Sequence, residues 1–152
     1  MTIPIEQQLF NSAKAYYNGA TILMKPPDII GAHSSLIIQP AVTCAALSLK
    51  LYLKCLLTIE GKDREDSIYK IADLYRNLSD DRKKLILGKF DEFSNTRMAE
   101  GELLGHLDSL DNAFVRWRYI HEEDAKSVNL EDLEEMILAA KAAISDLKPD
   151  WE

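Results

Sequence analysis

The stretch from Pro40 to Ile59 constrains this chain more than any other. Val42, Ala45, Ala46, Leu49, Tyr52, Leu53, Leu56 and Leu57 recur at helical spacing, and Leu47, Leu51 and Ile59 add apolar side chains off that stripe. One seam cannot cover so many faces, so this helix belongs at the centre of a bundle or at a subunit interface. Pro40 suits the first helical position, where a missing N–H costs nothing, and Gly61 suits the end. Lys50 and Lys54, four apart, line one polar strip and interrupt the apolar run. No stretch then approaches the roughly 18–20 uninterrupted apolar residues of a membrane helix.

A central helix needs neighbours, and the sequence supplies them. From Pro4 to Lys25, Leu9, Ala13, Tyr16, Tyr17, Ala20 and Met24 form an inward stripe, which Pro26-Pro27 terminates. Residues 28–39 read as a loop with Leu36, Ile37 and Ile38 tucked inward. Ile68, Ile71, Leu74, Tyr75 and Leu78 mark a shorter helix. Ser79-Asp80-Asp81 starts another, with acids at the positive end of its dipole, and this one carries Leu85, Ile86, Phe90 and Phe93. From Met98 to Leu110 the pattern is helical but weakened by Gly101 and Gly105, and it continues through Phe114 and Trp117. Asn129 opens a last helix with Leu130, Leu133, Ile137, Ala140, Ile144 and Leu147 inward, and Pro149 closes it. No segment alternates as a strand does. The expected fold is all-α, an antiparallel up-and-down bundle of four main helices with one or two short extra helices, in one domain over residues 1–152.

Composition narrows the function classes. The chain has 152 residues, 47% of them hydrophobic, and a formal charge of −7. It is large enough for a core without disulfides or structural metal. Its N-terminus lacks the basic start and apolar run of a signal peptide, so the expectation is a cytoplasmic protein with no membrane partner. Net acidity weakens a nucleic-acid reading without excluding a local basic site. Cys44 and Cys55, eleven residues apart on one helix, stand about 16 Å apart, too far for a disulfide, and read as buried free thiols. Three histidines and no Cys-x-x-Cys leave no zinc pattern, and no phosphate loop or nucleophile elbow is present, so no metal or cofactor is expected. The acidic pairs Glu131-Asp132 and Glu134-Glu135 read as solvated surface.

One segment has residues suited to chemistry. Arg116 and His121 form Arg-x4-His, followed by Glu122, Glu123 and Asp124. An arginine neutralises a phosphate, and a histidine moves a proton near neutral pH. Together they suit metal-independent RNA cleavage, in which a ribose 2′-OH attacks its own phosphate. A structural alternative stands beside it: Trp117 packs, Arg118 pairs with a carboxylate such as Glu122 four residues on, and His121 lies at the rim.

Two segments resemble the HEPN superfamily, small helical bundles of prokaryotic defence, toxin–antitoxin and nucleotidyltransferase-associated systems. Gln39 to Leu57, followed by Gly61, looks like the helix of a subgroup in which a proline precedes an apolar run ending Glu-Leu-Tyr-Leu-Lys. Asn112 to Glu122 is similar to that subgroup's Phe-x-x-Trp-Arg-Tyr-x-x-Glu signature, here Phe114, Trp117, Arg118, Tyr119 and Glu122. The resemblance covers most of the chain. It implies a homodimer acting on RNA or a nucleotide, with an antitoxin or a nucleotidyltransferase as possible partner. It also implies that Arg116 and His121 are the catalytic pair of a ribonuclease, with Arg118 and Glu122 holding or orienting. A non-catalytic bundle that dimerises and binds a nucleotide or protein is the other reading.

Overall fold

The computed structural model describes residues 2–24, 32–62, 70–93, 99–117 and 130–151, with the side chains of 24, 32–39, 112–117 and 130–131 outside that description. Among the described residues six helices follow in order: α1 (Ile5–Met24), α2 (Ala32–Ile59), α3 (Ile71–Arg76), α4 (Asp80–Phe93), α5 (Glu100–Trp117) and α6 (Leu130–Leu147). There is no strand among the described residues. The all-α bundle expected from the periodicity is the observed architecture.

α2 is the axis of the fold. Ala41, Val42, Ala45, Ala46, Leu49, Tyr52, Leu53, Leu56 and Leu57 are buried along it, and α1, α3, α5 and α6 all pack against it. α1 lies antiparallel to α2: the Ser48 hydroxyl donates to the Ala13 carbonyl at 2.7 Å, and the Cys55 thiol reaches the Glu6 carbonyl at 3.1 Å. Ser48 is fully buried, and its bond explains how an apolar helix tolerates a hydroxyl there. The alanines on both sides keep the two backbones close. Phe10 fills the far end, edge-on to Tyr52 at 5.8 Å and 5.6 Å from the Trp151 ring, which ties the C-terminus to α1. Burying each such ring or leucine contributes about 1.5–3 kcal/mol.

Several boundaries follow from named residues. Gly61, at φ 76°, ends α2. The Lys62 N–H donates to the Leu57 carbonyl and the Gly61 N–H to that of Thr58, the paired bonds of a Schellman motif. Ser79 caps α4, accepting the Arg82 N–H at its hydroxyl. α6 buries Leu133, Ile137, Ala140 and Ile144 as the spacing predicts.

The structure differs from the sequence reading in five places. Residues 32–39 are helical, not a loop, so Pro40 lies inside α2 instead of opening it. Pro40 is exposed, so the ladder bond its missing N–H forgoes is lost at a position facing solvent, where the loss is cheapest. α5 runs unbroken through Gly101 and Gly105, both exposed, while Leu103, Leu107 and Leu110 anchor its other side. Burial of those leucines outweighs about 1 kcal/mol of lost propensity per glycine. Tyr16 and Phe93 point outward, and Cys44 is only half-buried. Finally, Pro40–Ile59 does have the length and composition to cross a bilayer, with mean hydropathy 1.6 despite its lysines. That corrects the expectation of no such stretch; here 56% of it is buried inside the bundle. The expected stop at Pro26-Pro27 and the cap at Asn129 lie outside the described residues.

Candidate functional site

The segment singled out by the sequence begins on α5. Arg116 falls in the last turn of that helix, where the negative end of the dipole favours a cation. By helical register it aligns with exposed Gly105 and Ser109, nearly opposite the buried row of Leu103, Leu107 and Leu110. Phe114 and Trp117 share the helical register of Leu107 and Leu110. The side chains of Phe114, Arg116 and Trp117, and the whole of Arg118, His121 and Glu122, lie outside the described residues.

What the described residues show is how α5 is held. Asp111 accepts the Ile71 N–H at 2.8 Å through Oδ1 and the Ala72 N–H at 3.0 Å through Oδ2. α3 needs this. Its N-cap is Lys70, whose side chain makes no capping bond, so two orphan donors are satisfied by a carboxylate from another helix. One and a half turns further, Arg76 donates to Asp108 at 3.0 Å and to Asp73 at 3.1 Å. These pairings, 71 with 111 and 76 with 108, set α3 antiparallel to α5 and fix the register of the helix that carries Arg116. On another side His106 stands 3.9 Å from Asp132 of α6, an ion pair when the imidazole is protonated.

A second carboxylate works in the same way. Glu60, just past α2, has a side chain only 8% exposed. It accepts the Ser79 hydroxyl at 2.6 Å and the Ser79 N–H at 3.2 and 3.3 Å. Lys62 and Arg82 each approach it at 3.5 Å. A capping box normally takes its glutamate from the third helical position; here it comes from the preceding long helix. Lys89 of α4 reaches Asp146 of α6 at 2.9 Å, and that bond holds its ammonium above the ordinary lysine range.

Burial holds Cys55, Tyr17, Tyr52 and Tyr75 more firmly in their neutral forms. Burial pushes the Cys55 thiol up to about 12, so the reactive thiolate is absent near pH 7. Tyr17 donates to Glu134 at 3.0 Å, and burial together with that carboxylate raises it to about 12. Tyr52 and Tyr75 are raised by burial, and neither hydroxyl has a hydrogen-bond partner among the described residues. Tyr75 also lines a gap of about 10 Å³ with Leu49, Leu53, Leu107 and Met136, which holds at most one water. No group of three or more potential metal ligands occurs among the described residues.

Sequence reasoning singled out neither Asp111 nor Glu60. A weak signal existed for the first: a short apolar helix preceded by lysine has no cap of its own. Nothing local marks Glu60. Of the acidic residues on α6, Glu134 is exposed as expected but engaged by Tyr17. Comparison of the chain with protein-family models, with curated proteins and with solved structures finds no match.

Proposed function

We propose that this chain is a HEPN-like domain of a prokaryotic defence or toxin–antitoxin system that acts on RNA as a dimer. The observation that carries the reading is the Arg116-x4-His121 motif within a Phe-x-x-Trp-Arg-Tyr-x-x-Glu signature that starts on the last turn of α5. Three features support it. The bundle is all-helical. The α5 helix is held by α3 through Asp111 and Asp108, which suits a helix whose end must be kept in place. Burial holds Cys55 and the buried tyrosines in their neutral forms, so the reading assigns none of them a part in the chemistry.

In this reading His121 removes the proton from a ribose 2′-OH. The oxygen attacks the adjacent phosphorus, the bond to the 5′-oxygen breaks, and that oxygen leaves with the proton returned by the His121 imidazolium. Arg116 balances the charge that develops on the phosphate oxygens, Arg118 adds to phosphate binding, and Glu122 orients His121 or Arg118. The product ends are a 2′,3′-cyclic phosphate and a 5′-hydroxyl, and no metal is consumed in the scheme.

The test is cleavage of varied RNAs in EDTA, with end-group analysis. Wild-type protein should leave cyclic phosphate ends, and His121→Ala and Arg116→Ala should each lose about 100-fold or more with unchanged helicity. The non-catalytic reading, favoured by the net charge of −7 and by exposed Glu100, Glu102 and Asp108 on α5, makes a different forecast. There, wild-type and His121→Ala proteins are equally inert, and Arg118→Ala lowers stability or dimerisation.

A further inference from the structure

In a chain of net charge −7, α2 contains no acidic residue at all. Cys44, Leu47, Lys50, Leu51, Lys54 and Thr58 share one of its faces and are only half-buried, whereas the opposite face forms the core. The bonds from Ser48 and Cys55 to α1 mark the side on which α1 lies. Helical register then orders the face outward from α1: Cys44, Leu51, Thr58 and Leu47 come first, then Lys54 and Lys50. The same two bonds bring Tyr16 of α1 level with Cys44, and Leu9 level with Leu51, to within a residue. Phe10 and Tyr17 turn to the α6 side of α1, so Ile5, Leu9 and Tyr16 turn to the other. A groove therefore runs between α1 and α2 on the side away from α6. Its floor is half-buried Leu9, Cys44 and Leu51. Ile5 and Tyr16, 54% and 41% exposed, stand on the α1 rim, and Lys54 and Lys50 on the α2 rim. From Cys44 to Thr58 it is about 21 Å long.

We propose that this groove seats an amphipathic helix of a different protein, with its apolar stripe on Leu9, Cys44 and Leu51 and an acidic edge along Lys54 and Lys50. Shape selects a helix. Two antiparallel helices in contact leave a trough that the ridge of a third helix fills, and a flat bilayer cannot reach a half-buried floor. Charge selects the edge. Every exposed residue of α1 is uncharged and α2 has no acid, so an acidic edge meets only cations here and a basic edge only repulsion. Lys54 makes no ion pair among the described residues, so a partner carboxylate displaces nothing there. The same face of a second copy is a poor occupant, because a twofold axis would set lysines against lysines. Leucines on the floor give a phosphate backbone nothing to bind. This surface lies beyond the proposed function and does not depend on its chemistry.

Cys44 lies on the floor and reports occupancy, since Cys55 is fully buried as a neutral thiol. The probe is a synthetic helix-forming peptide of about four turns, with leucine every three or four residues and glutamate along one edge. Its twin carries lysine in place of glutamate. Modification of Cys44 by iodoacetamide, a neutral reagent, is timed in the full chain with and without each peptide. The glutamate peptide at about 100 µM should slow it at least about 10-fold and bind at least about 10-fold more tightly than the lysine twin. Lys54→Glu should cost the glutamate peptide about 5-fold, and Leu51→Glu should weaken both peptides. Helicity measured in parallel checks the fold of each variant, and Lys54→Glu carries the test alone if Leu51→Glu unfolds. Vesicles rich in phosphatidylserine should leave the Cys44 rate unchanged. No protection by the glutamate peptide, equal protection by its lysine twin, indifference to Lys54→Glu, or protection by vesicles overturns the proposal.

Discussion

Replacing Asp111 by alanine should unfasten α3 from α5. The carboxylate takes two backbone donors, at 2.8 and 3.0 Å, and hydrogen bonds to a charged group contribute about 1.5–3 kcal/mol each. Asp111 is partly exposed, which moves both toward the low end of that range. Ile71 and Ala72 are buried, 2% and 0% exposed, so water cannot readily replace the lost acceptor. The net loss should be about 2–3 kcal/mol, somewhat above an ordinary N-cap deletion. In a chain of this length that lowers the thermal midpoint by about 5–10 °C. Asp111→Asn keeps one acceptor oxygen and should lose roughly half as much. Urea unfolding followed by circular dichroism measures the stability, and amide exchange at Ile71 and Ala72 reads the local effect. A helix of six residues has no stability alone, so those two amides should lose protection before the rest of the bundle. A loss below about 0.5 kcal/mol, or equal effects of alanine and asparagine, would refute the reasoning, because the trans-cap would then hold nothing.

Alkaline pH should unfold the protein through groups buried in their neutral forms. Cys55 rises from 9 to about 12 on folding, so its contribution is complete below pH 9 and is lost between pH 9 and 12, up to about 4 kcal/mol. Tyr17, raised from 10 to about 12, adds to the loss above pH 10. Cys55→Ala should therefore flatten the stability curve between pH 9 and 10, and Ellman's reagent at pH 8 should titrate Cys44 well before Cys55. Tyr75→Phe removes a buried hydroxyl that has no partner among the described residues, so urea unfolding should show it neutral or up to about 1 kcal/mol more stable; a loss above 1 kcal/mol would show that the hydroxyl is bonded after all.

The main features of the bundle were legible in the chain because they are local. The stripes of α2 and α6 recur at 3.6-residue spacing, and a stripe of that width has to be buried whatever it meets. Gly61 and Ser79 ended and began helices as their chemistry requires, since positive φ and a hydroxyl cap act within a few residues. The Arg116-x4-His121 motif was legible in the same way, as adjacency along the chain. Local rules failed where a partner from elsewhere outweighed them. Gly101 and Gly105 broke the pattern but not the helix, because Leu103, Leu107 and Leu110 found the core. Residues 32–39 lacked a convincing stripe, yet their backbone continues α2 through Pro40. Glu60 and Asp111 cap helices 19 and 40 residues away in the chain, and no window of sequence joins them to Ser79 or Ile71. Periodicity and caps are properties of a segment, so the sequence alone determined most of the helices and the buried stripes of α2 and α6. Which carboxylate satisfies which helix end, which small residues face outward, and what holds the Arg116-bearing helix in register depend on contacts between segments, and only the tertiary structure decides those.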